Sequence, residues 1–275
     1  MSRVLITGAN GFLGRNLCRR FKERGHEVFG WIRGDSEYSI GKFQPEYVIH
    51  CAGEIYDETL MIDSNISLTE SVLTQVSGYH RTKLKRFIYL GSSSEYGRML
   101  RPSSETDVPN PSNMYEATKT AGALITQAYG KKNEFKTSIV RPYSIFGEFE
   151  APHRFIPTLY RSSQAGLLVK IYSGAHDFLY VEDFVNAVEL VTFADLPSDI
   201  VNVGSGVSVS NELLVETFEK ALGRTISRER VSETLRDYDS DFWCANISYA
   251  KRAYSWSPKF TLEDGLKAYI NSYKT

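Results

Sequence analysis

The sequence predicts an α/β protein, a doubly wound parallel sheet with a smaller C-terminal lobe, on three observations. Short apolar runs alternate with helical patterns as far as Val140. A glycine-rich turn, Thr7-Gly8-Ala9-Asn10-Gly11-Phe12-Leu13-Gly14, follows the first apolar run and opens the first helical pattern. Beyond Arg141-Pro142 the alternation gives way to turns and short mixed segments, with Pro152, Pro157, Pro197 and Pro258. Strands alternating with helices indicate a parallel sheet covered on both faces. Ligands of such sheets bind beyond the carboxyl ends of the strands.

The elements follow in order. Arg3–Thr7 is a short buried strand, and Phe12–Arg24 an amphipathic helix closed by Gly25. Glu27–Ile32 is the second strand and Tyr47–Cys51 the third. A helical stretch around Thr59–Tyr79 leads to a fourth strand, Arg86–Leu90. Asn113–Lys131 is another helix, and Lys136–Val140 another strand. No internal repeat, low-complexity tract or independent linker interrupts the pattern.

Composition narrows the function classes. Of 275 residues, 42% are hydrophobic and 13% aromatic, which suits a folded chain with a sizeable core. Lysine and arginine number 32 against 33 acidic residues, a net charge of −1. Such a balance gives no field to draw the protein to nucleic acid or a membrane surface. The run Arg81-Thr82-Lys83-Leu84-Lys85-Arg86 reads as a solvated helix end before a strand. Cys18, Cys51 and Cys244 are too few and scattered for a disulfide framework or a zinc site, so no metal is expected. Cys18 falls in the apolar pattern of the first helix, and free thiols suit a reducing cytoplasm. The chain opens directly on a strand, without a signal-peptide pattern. Nothing approaches the ~20 apolar residues of a membrane span.

The glycine turn carries the first chemistry. Gly8, Gly11 and Gly14 lie between a strand and a helix, the context of a dinucleotide fingerprint, with spacing GxxGxxG rather than GxGxxG. One glycine permits the tight turn, one lets the backbone approach a pyrophosphate, and one lets helix and strand pack closely. The helix N-terminus then faces the phosphates. Gly8, Asn10, Gly11, Phe12, Leu13 and Gly14 are the candidate cradle.

Tyr115 and Lys119 carry the second. Residues four apart on a helix share a face. The Lys119 ammonium beside the Tyr115 phenol favours the phenolate and lowers its pKa from about 10. A tyrosine so tuned exchanges a proton with a hydroxyl or carbonyl oxygen.

These motifs, with Leu90-Gly91-Ser92-Ser93-Ser94-Glu95-Tyr96-Gly97, resemble the extended short-chain dehydrogenase/reductase family, nearest the enzymes acting on nucleotide-activated sugars. The resemblance covers nearly the whole chain. His50-Cys51-Ala52-Gly53 is similar to the family's loop beside the nicotinamide half, so Cys51, Ala52 and Gly53 join Tyr115 and Lys119 as cofactor contacts. Asp177-Phe178-Leu179-Tyr180-Val181-Glu182-Asp183 is similar to its second-lobe signature. Trp256-Ser257-Pro258 before Leu262-Glu263-Asp264-Gly265-Leu266 resembles its C-terminal helix entry. The resemblance implies a Rossmann-type dinucleotide lobe over residues 1–143, with 178–203 returning to it, and a mainly substrate-binding lobe over 144–275. It implies a homodimer.

It also assigns roles. Ser92 falls where the family has its catalytic Ser or Thr, with Ser93 the runner-up. With Ser92, Tyr115 and Lys119 complete the catalytic set. Ser93 and Ser94 stand where the sugar 4,6-dehydratases carry acids, which argues against elimination of water. Ser94 also replaces the cysteine of the fucose-synthase-type epimerase-reductases. Arg236-x-x-Asp239 resembles the segment whose arginine binds the nucleotide diphosphate. His176 stands where many relatives have a second such arginine, and Ser144 replaces a frequent asparagine. His153 and Arg154 are further cleft candidates.

At the end of the second strand Ile32 occupies the place of the acid that binds an NAD ribose, and Arg33 follows. An arginine there grips a 2′-phosphate, so NADP is expected. The alternative is NAD, held through Asp35. The reading reached is a cytoplasmic, NADP-dependent 4-ketoreductase of a nucleotide-diphosphate keto-sugar in deoxysugar biosynthesis. A nucleotide-sugar 4-epimerase is the enzymatic alternative. A non-catalytic NADP-binding redox sensor is the alternative of another class.

Overall fold

The run Val4-Leu5-Ile6 is apolar without helical period, and all three side chains are fully buried within a parallel sheet. Continuous burial on both faces is what a helix-covered parallel strand requires. The structure is a computed structural model and describes residues 1–36, 38–80, 84–234 and 242–273.

The chain begins β1 (Arg3–Thr7), α1 (Phe12–Glu23), β2 (Glu27–Trp31), α2 (Tyr38–Phe43), β3 (Tyr47–His50), α3 (Glu58–Ile62), α4 (Leu68–His80), β4 (Arg86–Leu90), α5 (Met114–Asn133) and β5 (Lys136–Pro142). It continues β6 (Ser144–Phe146), α6 (Phe155–Ala165), β7 (Val169–Ser173), β8 (Ala175–His176), β9 (Phe178–Tyr180), α7 (Val181–Phe193), β10 (Asp199–Val203), β11 (Val209–Ser210), α8 (Asn211–Leu222), β12 (Arg228–Thr234), α9 (Ser248–Tyr254) and α10 (Leu262–Ser272). Two compact units divide it. The first comprises Met1–Gly97, Asp107–Pro142 and Val185–Val201; the second comprises Arg98–Thr106, Tyr143–Phe184 and Asn202–Thr275.

The first unit is built on the sheet β10-β5-β4-β3-β1-β2. Neighbours from β5 to β2 pair in parallel, with Val4 opposite both Val28 and Tyr47. Leu5, Val48, Phe87 and Ile139 of the strands pack with Val72, Leu73 and Val76 of α4 and Ala123 of α5. Strand ends have local causes. Asp35 Oδ2 accepts the Ile32 N–H at 2.9 Å, so β2 stops at Trp31, one residue short of the expected end. Helix α1 stops at Glu23, and Gly25 follows with φ +77°.

The expected helical stretch around Thr59–Tyr79 is helical throughout, α3 running through a π-turn over Asp63–Ser67 into α4, and the π-turn carries Asn65 inward, to 1% exposure. One expectation needs correction. Arg86 is not solvated but 1% exposed. It donates to Ser138 Oγ at 2.6 Å and to the carbonyls of Ala194 and Leu196 at 3.0 and 2.5 Å. A buried cation persists because those acceptors replace its water. Lys85 does face solvent and pairs with Glu46 at 2.7 Å, while residues 81–83 lie outside the described residues.

In the second unit, short two-stranded ladders join β11 to β8, β12 to β7 and β6 to β9. Two buried aspartates bind its loops. Asp177 accepts the N–H groups of Ser205, Gly206 and Ala245. Asp183 accepts those of Lys259 and Phe260, and its carbonyl takes the Trp256 indole N–H at 3.2 Å. Burial raises both carboxyl pKa values above the usual range, against the opposing pull of those N–H donors. No described helix is long and apolar enough to cross a membrane.

Candidate functional site

The glycine turn and the loop after β3 are fitted to each other. Gly8 has φ +65°, and a Cβ there would lie 2.8 Å from Ala52 N. Ala52 N–H donates to Thr7 Oγ1 at 3.2 Å. A Cβ on Gly14 would lie 2.2 Å from Gly8 O, whereas one on Gly11 would meet only that oxygen, at 3.2 Å. Gly8 and Gly14 are thus required by the protein's own packing. Gly11 is the N-cap of α1, with no side-chain cap and no acid in the first helical turn. The leading N–H groups of a helix have no intrahelical partner and attract an anion. These features fit a pyrophosphate, and hence the dinucleotide expected at Gly8, Asn10, Gly11, Phe12, Leu13 and Gly14.

Helix α5 supplies the proton-handling pair. Its N-cap Asn113 accepts the Glu116 N–H at 3.0 Å, and buried Glu116 accepts the Ser112 N–H and hydroxyl. That cap fixes the start of the helix, so Tyr115 sits half-buried in its first turn. Lys119, one turn on, is 7% exposed. Its Nζ donates to Leu90 O at 2.5 Å, lies 4.6 Å above the Tyr89 ring, and would be 3.9 Å from a Cβ on Gly53. Burial drives its pKa down to about 8, with Glu95 and Cys51 opposing. Lys119 thereby ties α5 to the end of β4.

Ser92 follows β4. Its Oγ accepts the Ser94 N–H at 3.2 Å and lies 2.7 Å from Ser94 Oγ, capping a short 3₁₀ turn over Ser93–Tyr96. Glu95 is fully buried. One oxygen takes the Ser92 N–H at 2.8 Å, and the other meets Arg141 Nη2 at 2.8 Å. Its carboxylate is therefore an anchor for the turn. An ion pair this deep persists because both partners are hydrogen-bonded.

Of the other expected residues, Arg33 and Asp35 lie in the turn after β2, and the described remainder belong to the second unit. Arg33 is 77% exposed on its side chain, 4.0 Å from Glu54. Asp35 closes its own turn on Ile32. Ser144 belongs to the second unit, where its N–H meets Asp177 O, and His176 pairs with Val209 in β8. His153 is exposed, and Arg154 pairs with Glu150 at 3.3 Å. Arg236 and Asp239 lie outside the described residues.

Sequence reasoning missed a buried polar chain behind the site. Thr7 Oγ1 meets His50 Nδ1 at 2.8 Å, and His50 Nε2 meets Thr69 Oγ1 at 3.0 Å. Thr69 donates to Asn65 O, and Asn65 Nδ2 donates to Thr118 Oγ1 and Glu54 O, both at 3.0 Å. Burial lowers the His50 pKa to about 3, so the ring is neutral and one nitrogen accepts. The available signal was polar Asn65 and Thr69 on the inward face of an otherwise apolar helical stretch.

Comparison with known proteins agrees with this arrangement. The profile of the NAD dependent epimerase/dehydratase family matches residues 4–204. A low-salt glycan biosynthesis protein of Haloferax volcanii is 25% identical, over 98% of this chain and 98% of its own. A UDP-glucuronate 4-epimerase of Thermodesulfobacterium geofontis is 27% identical, over 98% of this chain and 96% of its own. A solved UDP-glucuronic acid 4-epimerase of Bacillus cereus, in complex with UDP-glucuronic acid and NAD, superposes with TM-score 0.88 over 99% of each chain at 22% identity. That last likeness is one of fold.

Proposed function

The chain belongs to the NAD dependent epimerase/dehydratase family, and on that premise we propose that it inverts C4 of a nucleotide-diphosphate hexose through a 4-keto intermediate. The single observation that carries this reading is the buried Lys119 ammonium, one helical turn from Tyr115 and set against Leu90 O and the Gly53 loop. A nicotinamide dinucleotide on the uncapped α1 N-terminus would accept the C4 hydride and return it. NAD is the form expected for such an internal cycle, as in the Bacillus cereus complex.

The residues divide the remaining work. Tyr115 Oη, as phenolate, takes the proton of the C4 hydroxyl and later gives it back. Lys119 stabilises that phenolate. Ser92 Oγ donates a hydrogen bond to the C4 oxygen and holds it beside Tyr115. Gly8, Gly11 and Gly14 seat the pyrophosphate, and Cys51, Ala52 and Gly53 line the nicotinamide half. Ser93, Ser94, Ser144 and Arg236 are substrate-binding candidates on the family resemblance alone. The residues themselves disfavour elimination of water: Ser93 and Ser94 are not acids, and Glu95 is committed to Arg141 and Ser92 N.

The 4-ketoreductase reading on NADPH keeps one specific observation in its favour, an exposed Arg33 beyond a strand end without an acid at Ile32. One assay separates the two. Purified protein is incubated with UDP-glucuronic acid or UDP-glucose and no added cofactor, and the sugar is read by proton NMR. C4 inversion supports the epimerase. Stoichiometric NADPH consumption on a 4-keto nucleotide sugar, without inversion, replaces it with the reductase.

A further inference from the structure

We propose that Glu54 sets the balance between NAD and NADP by holding Arg33 against the demand of a 2′-phosphate. This rests on the dinucleotide reading above. The strand order places β1 between β3 and β2. Arg33 follows β2 and Glu54 follows β3, yet Arg33 Nη2 and Glu54 Oε2 come to 4.0 Å. The pair therefore bridges the two loops flanking the glycine turn, and the ribose end of a dinucleotide lies at the end of β2.

The two partners are anchored unequally. Glu54 Oε1 accepts the N–H groups of Ile55, Tyr56 and Asp57 at 2.9, 3.0 and 3.4 Å. Its backbone N–H and C=O are both held by the Asn65 amide, at 2.7 and 3.0 Å. Burial alone would raise the Glu54 pKa, but those N–H donors and Arg33 outweigh it and hold the group below the usual range. Glu54 is thus a fixed charge. Arg33 is the exposed partner, on a turn closed by Asp35 Oδ2 and continued by Gly34 at φ +99°. A pair this exposed is weak and exchanges readily.

The consequence is a competition. Unopposed, Arg33 would favour a 2′-phosphate through a charge-assisted, bidentate contact. Glu54 offsets that charge, so a plain ribose meets a neutral pair. It also repels a phosphate dianion within the range over which charges act at ordinary ionic strength, ~10 Å at 0.1 M. Glu54 is a specificity-determining residue, and an arginine after β2 does not by itself make the site selective for NADP.

The test is a fluorescence titration of wild type, Glu54→Gln and Arg33→Gln with NADPH and NADH at low and high salt. Glutamine keeps an acceptor for the N–H groups of Ile55–Asp57, so the loop is preserved. Glu54→Gln should tighten NADPH roughly five- to tenfold at low salt and leave NADH within about twofold. High salt should shrink the gain, and Arg33→Gln should weaken NADPH selectively. An unchanged NADPH:NADH ratio in Glu54→Gln, or an equal loss for both with a lower Tm, overturns the proposal. Wild type that binds neither dinucleotide overturns the underlying reading as well.

Discussion

Asn65 Nδ2 donates to Thr118 Oγ1 at 3.0 Å, across 53 residues of sequence. Thr118 immediately precedes Lys119, so the π-turn that carries Asn65 is coupled to the helix that carries Tyr115 and Lys119. The same amide holds both backbone groups of Glu54. One buried side chain therefore sets the spacing between the loop after β3 and α5. Replacing Asn65 with Leu would remove the partner of both the Glu54 N–H and C=O, at roughly 1–3 kcal/mol for each group, while Thr118 Oγ1 keeps Met114 O and Tyr115 O. The expected result is a Tm lower by several degrees and a turnover that falls further than dinucleotide affinity does. Calorimetry with fluorescence titration measures both; unchanged Tm and turnover would remove Asn65 from the account.

Tyr115→Phe removes one oxygen and leaves the ring. Turnover should fall roughly 10²- to 10⁴-fold, the scale of general acid–base catalysis, with dinucleotide affinity within about twofold of wild type. Near-normal turnover would assign the proton to another group.

The glycines make unequal predictions. Gly14→Ala places a methyl 2.2 Å from Gly8 O, backbone that cannot move without the turn. It should destabilise the protein by roughly 1–3 kcal/mol, the scale of overpacking. Gly11→Ala meets only Gly8 O, at 3.2 Å, and should melt near wild type while losing dinucleotide affinity at least ~10-fold. Equal melting losses in both variants would contradict this division of roles.

The sequence made some parts legible and hid others for physical reasons. Arg3–Thr7 and Arg86–Leu90 emerge with the expected bounds because their apolar runs end in turn residues. The π-turn at Asp63–Ser67 was hidden because the contact Asn65 makes there, with Thr118, is not local. Arg86 read as surface because its acceptors at Ser138, Ala194 and Leu196 are distant in sequence. The glycine turn announced itself through spacing. The anchoring of Ser92 through Glu95 and Arg141 did not, since that pair spans 46 residues.

Glu150 makes a pH prediction. Its side chain is 5% exposed, Oε2 has no hydrogen-bond partner among the described residues, and burial lifts its pKa to about 7, against the pull of Arg154. The folded state then holds more protons than the unfolded state between about 4.5 and 7. Stability from this group is present at low pH and lost as pH rises through 7. Asp177 and Asp183 act in the same direction, so the contribution is isolated by difference. Glu150→Gln should flatten the fall in Tm between pH 5 and 8 and melt higher than wild type at pH 8. Parallel profiles for the two proteins would contradict it.

The central claim is that hydride leaves and returns to the same C4 carbon while Tyr115 carries the proton. The direct measurement uses a nucleotide hexose deuterated at C4, incubated with purified protein and excess unlabelled cofactor, with sugar and cofactor read by mass spectrometry and NMR. The account predicts a product inverted at C4 that retains the deuterium, with none passed to the free cofactor pool or to solvent. Deuterium appearing in free reduced cofactor, or a sugar that has lost water without inversion, would contradict it.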